Sequence, residues 1–196
     1  MESIINFIKS FHDNAVEWCR GRLWHPRLLV LIWFVYILVN HLIDDKYQSL
    51  FGYLNLGIHE LGHFVFALFG EFIGILGGSL LQCLVPVISV YMFWRMHDYF
   101  GITFCFGWLS TNFFYVATYV ADARAMALPL VSPGGGYVIH DWNYLLSRLG
   151  ILDMDTTLAF LLRFAAVVSM FIFYIAGGYL LYRMFTLKGK LPFPED

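Results

Sequence analysis

Charge is the scarcest ingredient of this 196-residue chain: Lys, Arg, Asp and Glu together make up 13% of it. Soluble domains carry about 25% charged residues. Twelve basic side chains against 14 acidic ones leave a net charge of −2, with no basic excess for a phosphate backbone, so no nucleic-acid partner is expected. Cysteine is almost missing too. Cys19, Cys83 and Cys105 are odd in number, far apart and without a CxxC pair, which excludes a disulfide framework and a thiolate zinc site. Cys83 and Cys105 lie inside apolar segments and read as small buried hydrophobes. Internal repeats and low-complexity tracts are lacking. Residues 1–27 lack the continuous apolar stretch of a cleavable signal peptide: Ile4, Ile5, Phe7, Ile8, Phe11, Val16 and Trp18 are dispersed among Lys9, Arg20, Arg22 and Arg27. Their spacing predicts an amphipathic helix lying in a membrane interface.

Apolar residues fill the space that charge leaves. They make up 60% of the chain, with 20 Phe, 12 Tyr and 6 Trp, and the mean hydropathy is +0.68. A soluble single domain of this size has too much surface for its volume to hide that content. The expected fold is therefore all-α, a polytopic helix bundle with the lipid bilayer as its solvent. Segments 28–43, 51–69, 74–94, 100–121 and 157–185 meet the demand for mainly apolar runs of spanning length, which predicts about five to six transmembrane helices. Residues 122–155 are broken by Pro129, Pro133 and Gly134-Gly135-Gly136, so they fold back against protein or hide one more crossing. The domain plan is an interfacial segment (1–27), a membrane-embedded domain (28–185) and a tail (186–196). Basic residues before the first span place the N-terminus in the cytoplasm. Five crossings would then put Arg183, Lys188 and Lys190 on the wrong side, a conflict of parity.

Inside the second apolar segment stands His59-Glu60-Leu61-Gly62-His63, an HExxH. On a helix, residues four apart share a face, so the two imidazoles can grip one Zn²⁺ together. Glu60 lies near enough to take a proton from a metal-activated water. Three ionisable side chains in one apolar helix are costly, and such residues mark function. Asn55, one turn before His59 on the same face, is expected to orient its second ring nitrogen. Gly52, Gly57, Gly62 and Gly70 are expected to admit neighbouring helices closely.

A catalytic zinc site takes a third protein ligand and keeps one position open. His63 is followed by Phe64-Val65-Phe66-Ala67, without a metzincin continuation, and Glu71 falls about 12 Å further along the axis. The candidates are Asp122, His140 and Asp141. Asp141 opens a short amphipathic stretch and also suits a helix N-cap. Asp122 ends a polar stripe of Asn112, Tyr115, Tyr119 and Asp122, a face that lines a wet cleft or binds another helix. Gln82, with Gly78 and Ser79, reads as a small-polar packing face. Arg163 is expected to snorkel or to pair with Asp122 or Asp141. His25, His41 and His97 flank helix ends and read as interfacial.

An HExxH embedded in a multi-pass membrane protein resembles the site-2 protease group of intramembrane zinc metalloproteases, peptidase family M50, and looks most like its small bacterial members. The resemblance rests on His59, Glu60 and His63 and covers the second helix. It implies that both histidines bind zinc, that Glu60 is the base and that an aspartate from a later helix is the third ligand. By position Asp141 matches that aspartate, although it stands in Ile139-His140-Asp141-Trp142 rather than in an LDG-type motif, which keeps His140 a rival. The expected function is a zinc-dependent intramembrane protease acting on a transmembrane protein substrate in the bacterial inner membrane. A substrate-recruiting partner protein is a further expectation. The alternatives are a membrane zinc hydrolase of lipid amides or esters, and a non-enzymatic metal-binding protein whose site is closed by four protein ligands.

Overall fold

The computed structural model describes residues 2–130 and 139–188. Among them are seven α-helices and no strand: α1 (Glu2–Trp18), α2 (His25–Ile43), α3 (Phe51–Phe66), α4 (Glu71–Arg95), α5 (Tyr99–Ala121), α6 (Asp141–Leu149) and α7 (Asp155–Thr186). The chain is all-α, as expected. Four helices are long and apolar enough to cross a membrane: α2, α4, α5 and the segment Leu152–Thr186 that contains α7. The expected five to six therefore falls to four. Region 122–155 supplies only α6 and a short turn, Leu152–Met154, among its described residues. Residues 131–138, with Pro133 and Gly134-Gly135-Gly136, and residues 189–196 of the tail lie outside the described residues.

Local chemistry sets the helix ends. Pro26 sits in the first turn of α2, where its missing N–H is not needed. The Asp98 carboxylate caps α5 by accepting the Gly101 N–H at 2.9 Å. Gly150 closes α6 at φ 69°, a left-handed conformation that glycine adopts freely.

α5 is the centre of the bundle, with α7 and α4 packed along it and α2 beside it. At mid-height Phe34 and Ile37 of α2 meet Met170 and Phe173 of α7, all fully buried, together with Phe51. At one end, here the basal end, Ala15 and Cys19 pack on Tyr99, Phe100, Leu180 and Met184. His12 meets the Tyr179 hydroxyl there at 2.7 Å, so both α1 and the close of α7 sit at this end. At the distal end Val116, Val120 and Ala123 pack on Leu146 and Ala159. Outward faces are apolar, with Ile4, Ile5, Phe7 and Ile8 of α1 exposed, and Phe160, Phe164, Phe171 and Ile175 of α7.

The second apolar segment is not among the helices of spanning length. After α2 the chain turns back into the bundle beside α5: Thr118 donates to the Asp45 carbonyl at 2.6 Å, and the Ser49 N–H donates to the Tyr115 hydroxyl at 2.6 Å. Phe51 reaches the level of Phe34 and Phe104. α3 then runs back towards the distal end, Asn55 level with Trp108 and His59 with Tyr119. Its 16 residues rise about 24 Å, less than the ~30 Å hydrocarbon core. Segment 51–69 thus enters and leaves the bundle by the distal end, the arrangement of a re-entrant arm.

Two further expectations are corrected. Arg163 does pair with a carboxylate, but the partner is Asp45 at 3.1 Å rather than Asp122 or Asp141, because Asp45 lies at the distal end where α7 begins. His41 is buried rather than interfacial, its ring stacked on Phe114 with centroids 4.7 Å apart.

Candidate metal centre

The HExxH helix is held against α4 by contacts between backbones. A Cβ on Gly62 would collide with the Gly77 carbonyl, so only glycine lets α3 and α4 approach this closely. This close packing turns His59 and His63 towards α4 and α6. Gly57 and Gly70, expected to serve the same purpose, face open space, and Gly52 meets only the Gln48 side chain and the Tyr115 hydroxyl.

α6 delivers the third group. Trp142 donates its indole N–H to Ser79 of α4 at 3.1 Å, and the Asn143 amide donates to the Ala123 carbonyl at 2.8 Å. These bonds press the first turn of α6 onto the ends of α4 and α5. The Asp141 backbone N–H donates to the Tyr119 hydroxyl at 3.1 Å. Its carboxylate then lies 3.0 Å from His59 Nε2 and 3.3 Å from His63 Nε2. His59, His63 and Asp141 each offer one ligand atom, all within 4.8 Å of one another. The N-cap of α6 is His140 rather than Asp141, its ring Nδ1 accepting the Asn143 N–H at 3.2 Å.

The other two candidates are occupied with each other. Because His140 Nδ1 accepts, its proton resides on Nε2, which donates to Asp122 at 3.3 Å. Asp122 also accepts the N–H groups of Ala127 at 3.0 Å and Leu128 at 2.9 Å, closing the end of α5. Burial opposes its charge, yet the Leu128 and Ala127 donors, with the His140 ring behind them, hold the carboxyl below the usual aspartate range. Neither Asp122 nor His140 joins the three-membered cluster.

Whether that cluster suits a metal depends on which ring atoms face it. His63 Nδ1 faces the Gly74 carbonyl at 3.0 Å, and His59 Nδ1 faces Gln82 Oε1 at 3.1 Å. A carbonyl oxygen only accepts, so both Nδ1 atoms carry a hydrogen, and both rings turn Nε2 towards one carboxylate oxygen. A proton on Nε2 or a metal ion can join such a ring to the carboxylate, and with both Nδ1 atoms engaged the Nε2 atoms are the ones left to bind a metal. The two spacings to the carboxylate, 3.0 and 3.3 Å, lie near the ~3.3 Å edge of a tetrahedron with ligand distances near 2.0–2.1 Å, and all three atoms lie within 4.8 Å of one another. A Cβ on Gly78 would lie 2.6 Å from His59 Nε2 and 2.7 Å from His63 Nε2, so α4 leaves room there by having no side chain. The donor set fits Zn²⁺: two imidazoles and a carboxylate, with both ring tautomers braced from behind.

The bracing corrects one expectation. Asn55 does not orient His59; its Oδ1 accepts the Trp108 indole N–H at 2.9 Å, and Gln82 takes that place. Asn112 donates to the Trp108 carbonyl at 3.1 Å and turns into the bundle. Gln82, Gly78 and Tyr119 are the residues that sequence reasoning passed over as packing or as lining. Their common signal was a small-polar face on α4 and a tyrosine one turn from the end of α5.

Beside the cluster lies a cavity of about 1110 Å³. Glu60 and Tyr119 line it near the three ligand atoms, and it reaches along the re-entrant arm to Trp33 and Tyr36 of α2. Glu60 is half-buried and has no hydrogen-bond partner among the described residues. No protein-family model matches the chain, and no curated protein and no solved structure matches it.

Proposed function

We propose that the chain is a zinc-dependent intramembrane protease, inserted in a cell membrane by its four long apolar helices. The observation that carries this reading is the convergence of the His59 and His63 Nε2 atoms on the Asp141 carboxylate, with both Nδ1 atoms tied down behind them. Three donors, with His140 and Asp122 committed elsewhere, favour an open catalytic site over a closed structural one. Bound zinc supplies Lewis acidity, lowering the pKa of water towards neutrality. Glu60 takes the proton of the attacking water and passes it to the leaving amine. Trp33, Tyr36 and Tyr53 at the far reach of the cavity suit an unwound transmembrane segment as substrate. The resemblance of the HExxH helix to site-2 proteases supports the same reading and points to the bacterial inner membrane, with a separate protein recruiting substrate.

The experiment pairs metal analysis with cleavage of a membrane reporter in detergent. Wild type is expected to hold about one zinc per chain, and His59→Ala and Asp141→Ala to hold none. Glu60→Gln is expected to keep the metal and lose cleavage by at least ~100-fold. Cleavage that persists in Glu60→Gln rejects the mechanism. Activity confined to lipid amides or esters reassigns the substrate, and wild type that binds no supplied zinc rejects the site.

A further inference from the structure

Hydrolysis of a carbonyl puts negative charge on its oxygen, and a base and three metal ligands leave that charge without a dedicated protein donor. We infer that Tyr119 is this donor, a catalytic residue whose hydroxyl hydrogen-bonds the developing oxyanion; the inference rests on the hydrolytic reading above. Tyr119 lines the cavity together with His59, Glu60, His63 and Asp141. Its oxygen accepts the Asp141 backbone N–H at 3.1 Å, which places the hydroxyl beside the carboxylate ligand. That bond uses a lone pair and leaves the O–H free to donate, and the hydroxyl proton has no acceptor among the described residues.

The ring cannot swing away. It lies between two imidazoles, its centroid 4.4 Å from that of His140 and 5.9 Å from that of His59. Tyr115, one turn earlier on the same face of α5, is engaged differently: its hydroxyl accepts the Ser49 N–H at 2.6 Å and meets Ser49 Oγ at 2.8 Å. Of the two tyrosines on the stripe, only Tyr119 pairs a fixed oxygen with an uncommitted proton among the described residues.

The step balances as follows. The water oxygen bonds to the carbonyl carbon while the π pair moves onto the carbonyl oxygen, and Glu60 accepts the water proton. Tyr119 donates a hydrogen bond to that oxygen and keeps its proton. On collapse the pair returns, the carbon–nitrogen bond breaks, and Glu60 gives its proton to the leaving nitrogen. Both residues end as they began.

The test compares wild type with Tyr119→Phe in detergent, both loaded with zinc. Zinc affinity is read by competition with a chromophoric chelator, and phenylphosphonate serves as a tetrahedral anionic probe. The expected result is zinc affinity within about twofold of wild type, phenylphosphonate affinity reduced about tenfold or more, and reporter cleavage with kcat down about 100-fold and KM little changed. Zinc retained with both phosphonate binding and kcat unchanged overturns the inference. Loss of zinc in Tyr119→Phe overturns it differently, by showing that the hydroxyl only positions Asp141. Wild type that binds no zinc brings down the hydrolytic reading itself, and the inference with it.

Discussion

A methyl group at position 78 would lie 2.6–2.7 Å from ring atoms of both His59 and His63, inside van der Waals contact and in the space a metal would need. Alanine ordinarily stabilises a helix interior by up to ~1 kcal/mol relative to glycine. The two effects act on different quantities, so one substitution separates them. Gly78→Ala is expected to leave the thermal midpoint of the metal-free protein unchanged or raised, because the clash is with side-chain ends that can rotate. Zinc affinity is expected to fall by at least ~100-fold. Competition with a chromophoric chelator measures the second quantity and differential scanning fluorimetry the first; unchanged zinc affinity would show that the metal does not sit between these rings. The same residue shows what was legible. His59, Glu60 and His63 could be read directly, since their relation is one helical turn. Asp141 could be read only as one of three candidates, because it lies 82 positions from His59 and its capture depends on α6 docking on Ser79 and Ala123. Gly78 and Gln82 were read as packing because a small-polar face looks alike whether it meets a helix or a pair of ligands.

α3 shows where hydropathy stops informing. Segment 51–69 is apolar enough to resemble a span, but depth depends on what the preceding seven residues do, and Asp45 and Ser49 bind α5 on the way back into the bundle. A pattern of apolar residues carries no record of such long-range hydrogen bonds. What the re-entrant arm needs is a seam that lets α3 lie directly on α4, and that seam is Gly62 against Gly77. Gly62→Val forces the Gly77 backbone away and is expected to cost about 1–3 kcal/mol of stability in detergent, the range for overpacking a tight contact. His59 and His63 flank that seam, so zinc binding should weaken together with stability. Gly57→Ala on the same helix meets nothing within 4 Å and is expected to be neutral or to stabilise by up to ~1 kcal/mol. Chemical denaturation of the two variants side by side measures the contrast, and equal effects would mean that α3 is not seated on α4 through Gly62.

At the scale of the whole molecule, four crossings, one for each long apolar helix, would resolve the conflict of parity that five created. α2 and α5 run from the basal to the distal end and α4 and α7 return, so residues before α2 and after α7 share one side. Lys9, Arg20, Arg22, Arg27, Arg95, Arg183 and Lys188 lie in the basal segments, against Lys46, Arg124, Arg148 and Arg163 towards the distal end. The positive-inside rule then assigns the basal end to the cytoplasm. His59 faces Tyr119, two residues before α5 ends, so the cluster of His59, His63 and Asp141 lies in the distal half, which that assignment predicts to face away from the cytoplasm. The native cysteines permit a direct check. Cys19 and Cys105 are fully enclosed and Cys83 is half-buried, and burial pushes the Cys19 thiol up to about 11, so their reaction with maleimide is slow. Asp13, Lys188 and Asp153 are exposed positions at which a new thiol disturbs no buried contact. In sealed, oriented vesicles, Asp13→Cys and Lys188→Cys should react with a membrane-impermeant maleimide only from the cytoplasmic side, and Asp153→Cys only from the opposite side. Labelling of Asp13→Cys and Lys188→Cys from opposite sides would require an odd number of crossings, and α3 would have to be the helix that supplies the extra one.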